Sequence, residues 1–311
     1  MRIDQSNQAD CIGTEVYEIV KVPSMLTLSL REIKADKFAL VSAILIIILL
    51  TSIIIAAPII TTEAAARVNV FNRHRPPSWL EGGAEGYFLG TDAGGRNMLH
   101  LLVVASRNSL IIGFGVATIS IVIGFIVGIF SGYFGGHIDN VIMRLTDTWT
   151  MVPGIMFIVA MVHIWDRTIL NMIILLVIFS WMARARLIRS VTLQQRNMDY
   201  VSASKTMGTR NLVIMFKEVV PNLLPIIAPD IVLTVAATIG VETGLSMLGF
   251  GLPQSTPSLG SIINNAMVLI NLQQRWWMWL PAILLIFMLT LCINFVGQAI
   301  QRVADPRQRL V

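Results

Sequence analysis

Long uncharged apolar runs alternate with polar segments along the whole chain. The first run, Phe38 to Ile60, holds twenty-three residues without a charge, enough to cross a hydrocarbon core about 30 Å thick. Ser109 to Phe130 is a second span. Its Gly124-Phe125-Ile126-Val127-Gly128 stretch spaces two small residues so that helix backbones can approach closely in lipid. Static packing is the simpler reading of that stretch, and a moving interface is the functional one. Trp149 to Trp165 lacks Lys, Arg, Asp and Glu and carries a tryptophan at each end, where interfacial aromatics are expected. Seventeen residues rise only about 25 Å, so this third helix is short unless it begins near Arg144 and Asp147. Those two are three apart, a spacing that lets them pair on one helical face. A hairpin at Asp166-Arg167 leads to Thr168–Ala183, then come Ile226–Leu248 and finally Trp277–Gly297, announced by Trp276, Trp277 and Trp279. Six such runs predict an all-α polytopic membrane protein.

The polar segments complete the organisation. Residues 1–37 form an N-terminal segment, 38–60 the first span and 61–108 a Pro/Gly-rich loop. Residues 109–300 form the transmembrane core, with an exposed loop at 184–220, and 301–311 form a tail. SGYFGGHIDN at 131–140 reads as a tight turn, and Leu252 to Arg275 as a second loop on the side of the first. Seven basic residues crowd Met182–Val220, which marks that loop as cytoplasmic. With a cytoplasmic start, sixteen Lys and Arg fall on the side of both termini and seven on the other. Composition agrees: 55% hydrophobic and 13% charged, where a soluble domain carries roughly a quarter charged residues. The pI of about 9.6 therefore reflects loop charges that set membrane orientation, not affinity for nucleic acid. Cys11 and Cys292 predict no disulfide framework, and Cys292 reads as a small core residue. The polar start argues against a cleaved signal, so the first apolar run remains as an anchor.

Catalytic chemistry is not evident. There is no Gly-x-x-x-x-Gly-Lys-Ser/Thr loop, so the chain does not bind ATP in that manner, and no His-Glu-x-x-His. His74, His100, His137 and His163 are scattered without metal-ligand spacing. The sixteen Met residues read as adaptable packing. Glu242 is the one acidic residue deep within a span, where an unpartnered carboxylate costs a few kcal/mol. Either a neighbouring helix supplies it with a hydroxyl, amide or Arg, or it lines a path or gate. The sequence leaves both open.

The most distinctive stretch is Asp199 to Pro225. Tyr200, Val201, Ala203 and Met207 fall at helical spacing, as do Leu212, Val213 and Phe216 beyond a break at Gly208. Lys205, Arg210 and Lys217 carry its polar side. Gly208 permits a left-handed turn, Thr209 is placed to cap the next helix, and Pro221 and Pro225 close the segment. This predicts a bent knuckle outside the membrane on which something can push.

Ser202-Ala203-Ser204, then Gly208, then Pro221-Asn222 and Pro225 resemble the cytoplasmic loop of ABC importer permeases, with Ser202 and Ser204 where that family has Glu and Ala. Arg75-Pro76-Pro77-Ser78, Gly90-Thr91-Asp92, Gly95-Arg96-Asn97 and Arg107-Asn108-Ser109-Leu110 are similar to the oligopeptide, dipeptide and nickel branch, with Asn97 replacing Asp. Glu242 to Gly251 is similar to the family's Glu-x-x-Leu-Ser-Phe-Leu-Gly-x-Gly, with Met247 replacing Phe, and Thr256-Pro257-Ser258-Leu259-Gly260 to its Thr-Pro-Ser-Trp-Gly. Asp305-Pro306-Arg307 is a family-like ending. The resemblance implies a type I importer permease fold. It also implies a coupling role for Tyr200, Ser202, Ala203, Ser204, Met207, Gly208 and Thr209, and makes Glu242, Ser246 and Asp230 pore or gate candidates. Thr91, Asp92 and Arg96 mark the outer loop. It further implies a second, homologous permease in a heterodimer, two ATPase subunits that use ATP and Mg, and an extracytoplasmic peptide-binding protein. The chain itself would bind no cofactor or metal, would not be an enzyme, and would lie in the inner membrane with both termini cytoplasmic. Cargo would be oligopeptide or dipeptide. Nickel or an antimicrobial peptide is the alternative within the family, and an ion-coupled carrier the alternative outside it.

Overall fold

The computed structural model describes residues 25–304; Cys11 and the Asp305-Pro306-Arg307 ending lie outside the described residues. Every regular element among the described residues is helical. A short helix α1 (Met25–Ala35) turns at Asp36 into α2 (Lys37–Ala56). The Asp36 carboxylate accepts from the Phe38 and Ala39 amides, which satisfies two orphan donors at the N-terminus of α2. α2 ends two residues before Pro58, short of Ile60.

The next long helix, α4 (Met98–Phe134), follows the small helix α3 (Thr62–Ala66). α4 has 37 residues, about 55 Å at 1.5 Å per residue, so it starts well outside the membrane. Arg107, Asn108 and Ser109 lie inside it and do not lead up to it. The polar stretch at 131–140 is correspondingly reduced to a hinge at Gly135 and Gly136, both with positive φ, before α5 (Gly136–Thr150).

The third crossing is not one helix. α5 and α6 (Gly154–Ile164) are bent by 73° at a short break before Gly154. Pro153, lacking an N–H, cannot continue the α5 ladder. Arg144 and Asp147 do not pair with each other. The Asp147 carboxylate instead accepts from Arg186 Nη2 at 3.0 Å.

Arg186 belongs to α7 (Ile169–Arg196), which runs far beyond Ala183 and makes the first third of the expected 184–220 loop helical. The remainder holds α8 (Asp199–Thr206) and α9 (Asn211–Ile214). A wide (π) turn, Met215–Val219, then runs straight into α10 (Val220–Met247). Pro221 and Pro225 therefore do not close the segment. Pro221 follows just after the wide turn, and Pro225 and Pro229 lie within the helix. The expected loop 252–275 contains α11 (Leu259–Ala266) and α12 (Leu269–Gln274), ahead of the last helix α13 (Leu280–Ala304). Five of these helices are long and apolar enough to cross a membrane, and the bent α5–α6 pair makes a sixth crossing if taken as one.

The centre of the fold is the α4–α7 contact. A Cβ placed on Gly124 would lie 2.6 Å from Arg184 Cβ, on Gly128 2.6 Å from the Ala185 carbonyl oxygen, and on Gly132 2.7 Å from Thr192 Cβ. Three glycines four residues apart thus form a flat seam against which α7 lies backbone to backbone. The small-residue spacing is a packing device here. From the seam α7 sends Arg184 to Asp230 on α10 (3.3 Å), Arg186 to Asp147 on α5, and Arg189 to Asp139 on α5. Three of the basic residues that mark the loop by charge are thus consumed by carboxylates of other helices.

A β-branched residue cannot be seated in this seam without separating the helices. Gly128→Val is expected to lower stability by at least about 1–3 kcal/mol. Gly240→Ala, with no atom within 4 Å of the added Cβ, should be neutral or gain up to about 1 kcal/mol. Thermal unfolding of the two variants in detergent compares them directly.

Candidate functional site

Three places gather the residues singled out in the sequence. The first is the bent segment between α7 and α10. α8 ends at Thr206, and Gly208 adopts φ +80° with open space around it, so the turn needs glycine for its backbone and not for room. Thr209 does not cap the next helix. Arg210 occupies that position, and no side chain there bonds the helix amides.

Beneath the bend lies a small core of Val201, Ile214, Met215 and Val219, all fully buried, packed on Ile129, Tyr133 and Ile188 of the glycine-seam helices. The two halves are tied by Ser204 Oγ donating to Glu218 Oε1 at 2.7 Å. Tyr200 Oη donates to Gln195 Oε1 at 2.8 Å, which fixes α8 to the end of α7. The Lys205 ammonium sits 5.7 Å from the Tyr133 ring centre, within cation–π range. Ser202 and Ala203 face outward. So do Leu212, Val213 and Phe216, while Met207 at the tip is 82% exposed. The apolar positions seen at helical spacing are thus mostly the outer face. The inner face is built by Ile214, Met215 and Val219, whose register the π turn shifts by one residue in a way spacing does not show.

The second place surrounds Glu242, which has no exposed surface. Its carboxylate accepts from Ser246 Oγ at 2.7 Å, one turn along α10, and from Ser109 Oγ of α4 at 3.2 Å. Ser109 in turn accepts the Leu259 amide at the start of α11. Ser258 and Ser261 cap that helix reciprocally, and Ser258 Oγ lies 3.4 Å from Ser246 Oγ. Hydroxyls and the positive end of α11 thereby surround the buried acid. Gly251 and Gly260 make the site possible, since a Cβ at either would collide with Ser246. Asp230 does not join this group. It lies about three turns along α10 beside Arg184, whose Nη2 also donates to Thr234 Oγ1 at 2.6 Å. Ser109 and Ser258 escaped the sequence reading because only the folded chain brings them to Glu242.

The third place is the outer loop. Thr91, Asp92 and Arg96 are all nearly inaccessible. Asp92 Oδ1 accepts the Gly94 and Arg96 amides, and Arg96 Nε donates to Asp92 Oδ2 at 2.7 Å. Arg96 Nη1 reaches the Gln254 carbonyl at 3.1 Å, and Trp277 Nε1 donates to the Thr91 carbonyl at 3.3 Å. Gly95, at φ +72°, lies so close to Asn69 that a Cβ would fall 1.8 Å from its carbonyl oxygen. The motif is a staple that clamps the long first loop onto the segment preceding α11 and onto α13's entry. Beside it, burial and then the Arg275 and Arg73 guanidiniums hold the His74 imidazole below its ordinary pKa. No group of three His, Cys, Asp or Glu that could hold a metal occurs among the described residues.

The chain is similar to known proteins. Residues 120–310 match the family described as binding-protein-dependent transport system inner membrane component. The oligopeptide transport system permease protein OppC of Lactococcus lactis subsp. lactis is 41% identical over 278 residues, covering 89% of this chain and 93% of that protein. The dipeptide transport system permease protein DppC of Haemophilus influenzae is 31% identical over 232 residues, 75% of this chain and 78% of its own length. Among solved structures, a chain of the MetNI methionine ABC transporter in inward-facing conformations superposes with TM-score 0.55 at 22% identity. It covers 67% of this chain and 98% of that one.

The staple predicts its own sensitivity. Asp92→Asn leaves the buried Arg96 charge unpaired and is expected to cost about 3–5 kcal/mol. Arg96→Lys keeps the charge but loses the fork and should cost less. Proteolytic susceptibility of the 61–97 loop, followed with time, ranks the three proteins.

Proposed function

The chain belongs to the family of binding-protein-dependent transport system inner membrane components, and we propose that it forms half of the translocation pore of an ATP-driven peptide importer. Its cargo is an oligopeptide or dipeptide, the class named in the relatives that match most of its length. A second, homologous permease completes the pore. Two ATPase subunits sit beneath it, carrying the ATP and Mg, and an extracytoplasmic binding protein delivers the peptide. The chain lies in the inner membrane with both termini in the cytoplasm, where the greater density of Lys and Arg falls.

The observation that carries this reading is the outward apolar face of the bent segment. Met207, Leu212, Val213 and Phe216 stand exposed next to Lys205, Arg210 and Lys217, on a bend whose inner side is bolted to the α4–α7 seam. An apolar patch rimmed by charge fits a protein partner, and a rigid root lets a push at the patch reach the spans. Tyr200 and Ser204 hold the bend's shape, and Ser202, Ala203, Met207, Gly208 and Thr209 line the contact. ATPase closure displaces the bend and shifts the spans between outward-open and inward-open states, a change in population driven by differential binding.

Glu242 and Ser246 act as a gate tie. They link α4, α10 and the start of α11, so this junction must hold or slip as one when the outer side opens. Asp230, paired with Arg184, ties α10 to α7 nearer the cytoplasm.

Gly208→Ile forces a side chain into a left-handed backbone and is expected to leave membrane insertion intact while uptake of labelled peptide falls about tenfold or more. ATP hydrolysis by the assembled complex would persist. Normal uptake in that variant refutes the coupling role. Glu242→Gln keeps the shape but turns one acceptor into a donor facing hydroxyls. It should slow uptake with the complex still assembled, and a chain that fails to assemble assigns Glu242 to packing alone.

A further inference from the structure

Arg184, Arg186 and Arg189 of α7 have carboxylate partners, but a group of cations near the start of the described residues does not. On α1 the inward face carries Ser29, Glu32, Ile33 and, at the turn, Asp36. Arg302 of α13 pairs with Glu32 at 3.5 Å and with Asp36 as well. One guanidinium thus occupies both acids of the segment and holds α1 against the end of α13. The outward face carries Leu30, Arg31 and Lys34, and Lys37 follows at the first position of α2; all are exposed. Among the described residues none of these three cations forms an ion pair.

The surface continuing from them along α2 is apolar. Phe38, Val41, Ile44 and Ile48 are 71%, 55%, 47% and 57% exposed, and they follow one another at three- and four-residue steps. α2 is long and apolar enough to cross a membrane, so a stripe exposed along it is suited to contact with lipid acyl chains. At its head stand three unpaired cations within seven residues. An amphipathic basic segment of this kind at a bilayer surface attracts anionic headgroups.

We propose that Arg31, Lys34 and Lys37 form a binding site for an anionic phospholipid, with the headgroup phosphate on the three cations and an acyl chain along Phe38, Val41, Ile44 and Ile48. The occupancy of Glu32 and Asp36 by Arg302 is what leaves the cations free. With those two acids released, the patch would be nearly neutral. The site lies in the leaflet on the side of the chain's termini, next to the junction of the first and last spans. It goes beyond the proposed transport role and does not depend on the cargo.

The test uses the full-length chain in mild detergent, incubated with equal amounts of phosphatidylglycerol and phosphatidylcholine, with retained lipid read by native mass spectrometry. Phosphatidylglycerol should be retained in preference, and the preference should fade near molar salt. Each cation removed should weaken phosphatidylglycerol about fivefold, so the single variants Arg31→Gln, Lys34→Gln and Lys37→Gln should form a graded series with phosphatidylcholine unchanged. The charge-conserving triple variant R31K/K34R/K37R should retain the preference, which separates charge from folding. Arg144→Gln, an exposed cation elsewhere, should have no effect. Equal retention of the two lipids by the native chain, or an undiminished preference across the glutamine series, overturns the site.

Discussion

The close contact of α4 with α7 is the constraint on which the other features rest. Gly124, Gly128 and Gly132 leave about two turns of α4 without side chains where α7 lies against it. The two helices then gain the van der Waals contact that must replace the hydrophobic effect as the force between helices in lipid. Because α7 is fixed along this line, its arginines reach out at fixed heights to α5 and α10. The same rigid pair forms the floor on which Val201, Ile214, Met215 and Val219 seat the bent segment. A bend packed on a mobile floor would absorb an applied force. Packed on this one, it is fixed in place relative to α4 and α7.

A second theme is how the chain keeps acids in places that disfavour them. Asp92, Asp139 and Asp230 each have an arginine partner, and Glu242 alone relies on hydroxyls and the start of a helix. The difference matters for motion. An Arg–carboxylate fork holds one geometry, whereas a hydroxyl rotates to follow its acceptor. The tie at Glu242 joins α4, α10 and the start of α11 through groups that can follow small relative shifts of them.

Much of this was legible in the sequence. Uninterrupted apolar runs located the spans, Gly208 located the turn, and the Thr-Asp-x-x-Gly-Arg motif stood out before its staple geometry was visible. What could not be read was mostly pairwise. Spacing suggested that Arg144 meets Asp147, but Arg186 from a distant helix outcompetes it. Pro221 and Pro225 read as stops, yet helical winding runs from Asn211 to Met247 through both. Leu212, Val213 and Phe216 showed helical periodicity but not which side of the helix is covered, because the wide turn at Met215–Val219 changes the winding. The helical continuation of α4 and α7 into polar sequence likewise depends on each supplying the other's surface.

That wide turn carries a consequence of its own. A π turn is one surplus residue in the helical winding, and winding it out restores ordinary α geometry while rotating whatever lies upstream by about 100°. α9 and the exposed Phe216 region are therefore attached to α10 through a screw with a spare thread. Such a rotation would expose Ile214 and Met215, now fully buried, so the small core beneath the bend is what holds the wide turn in its present winding.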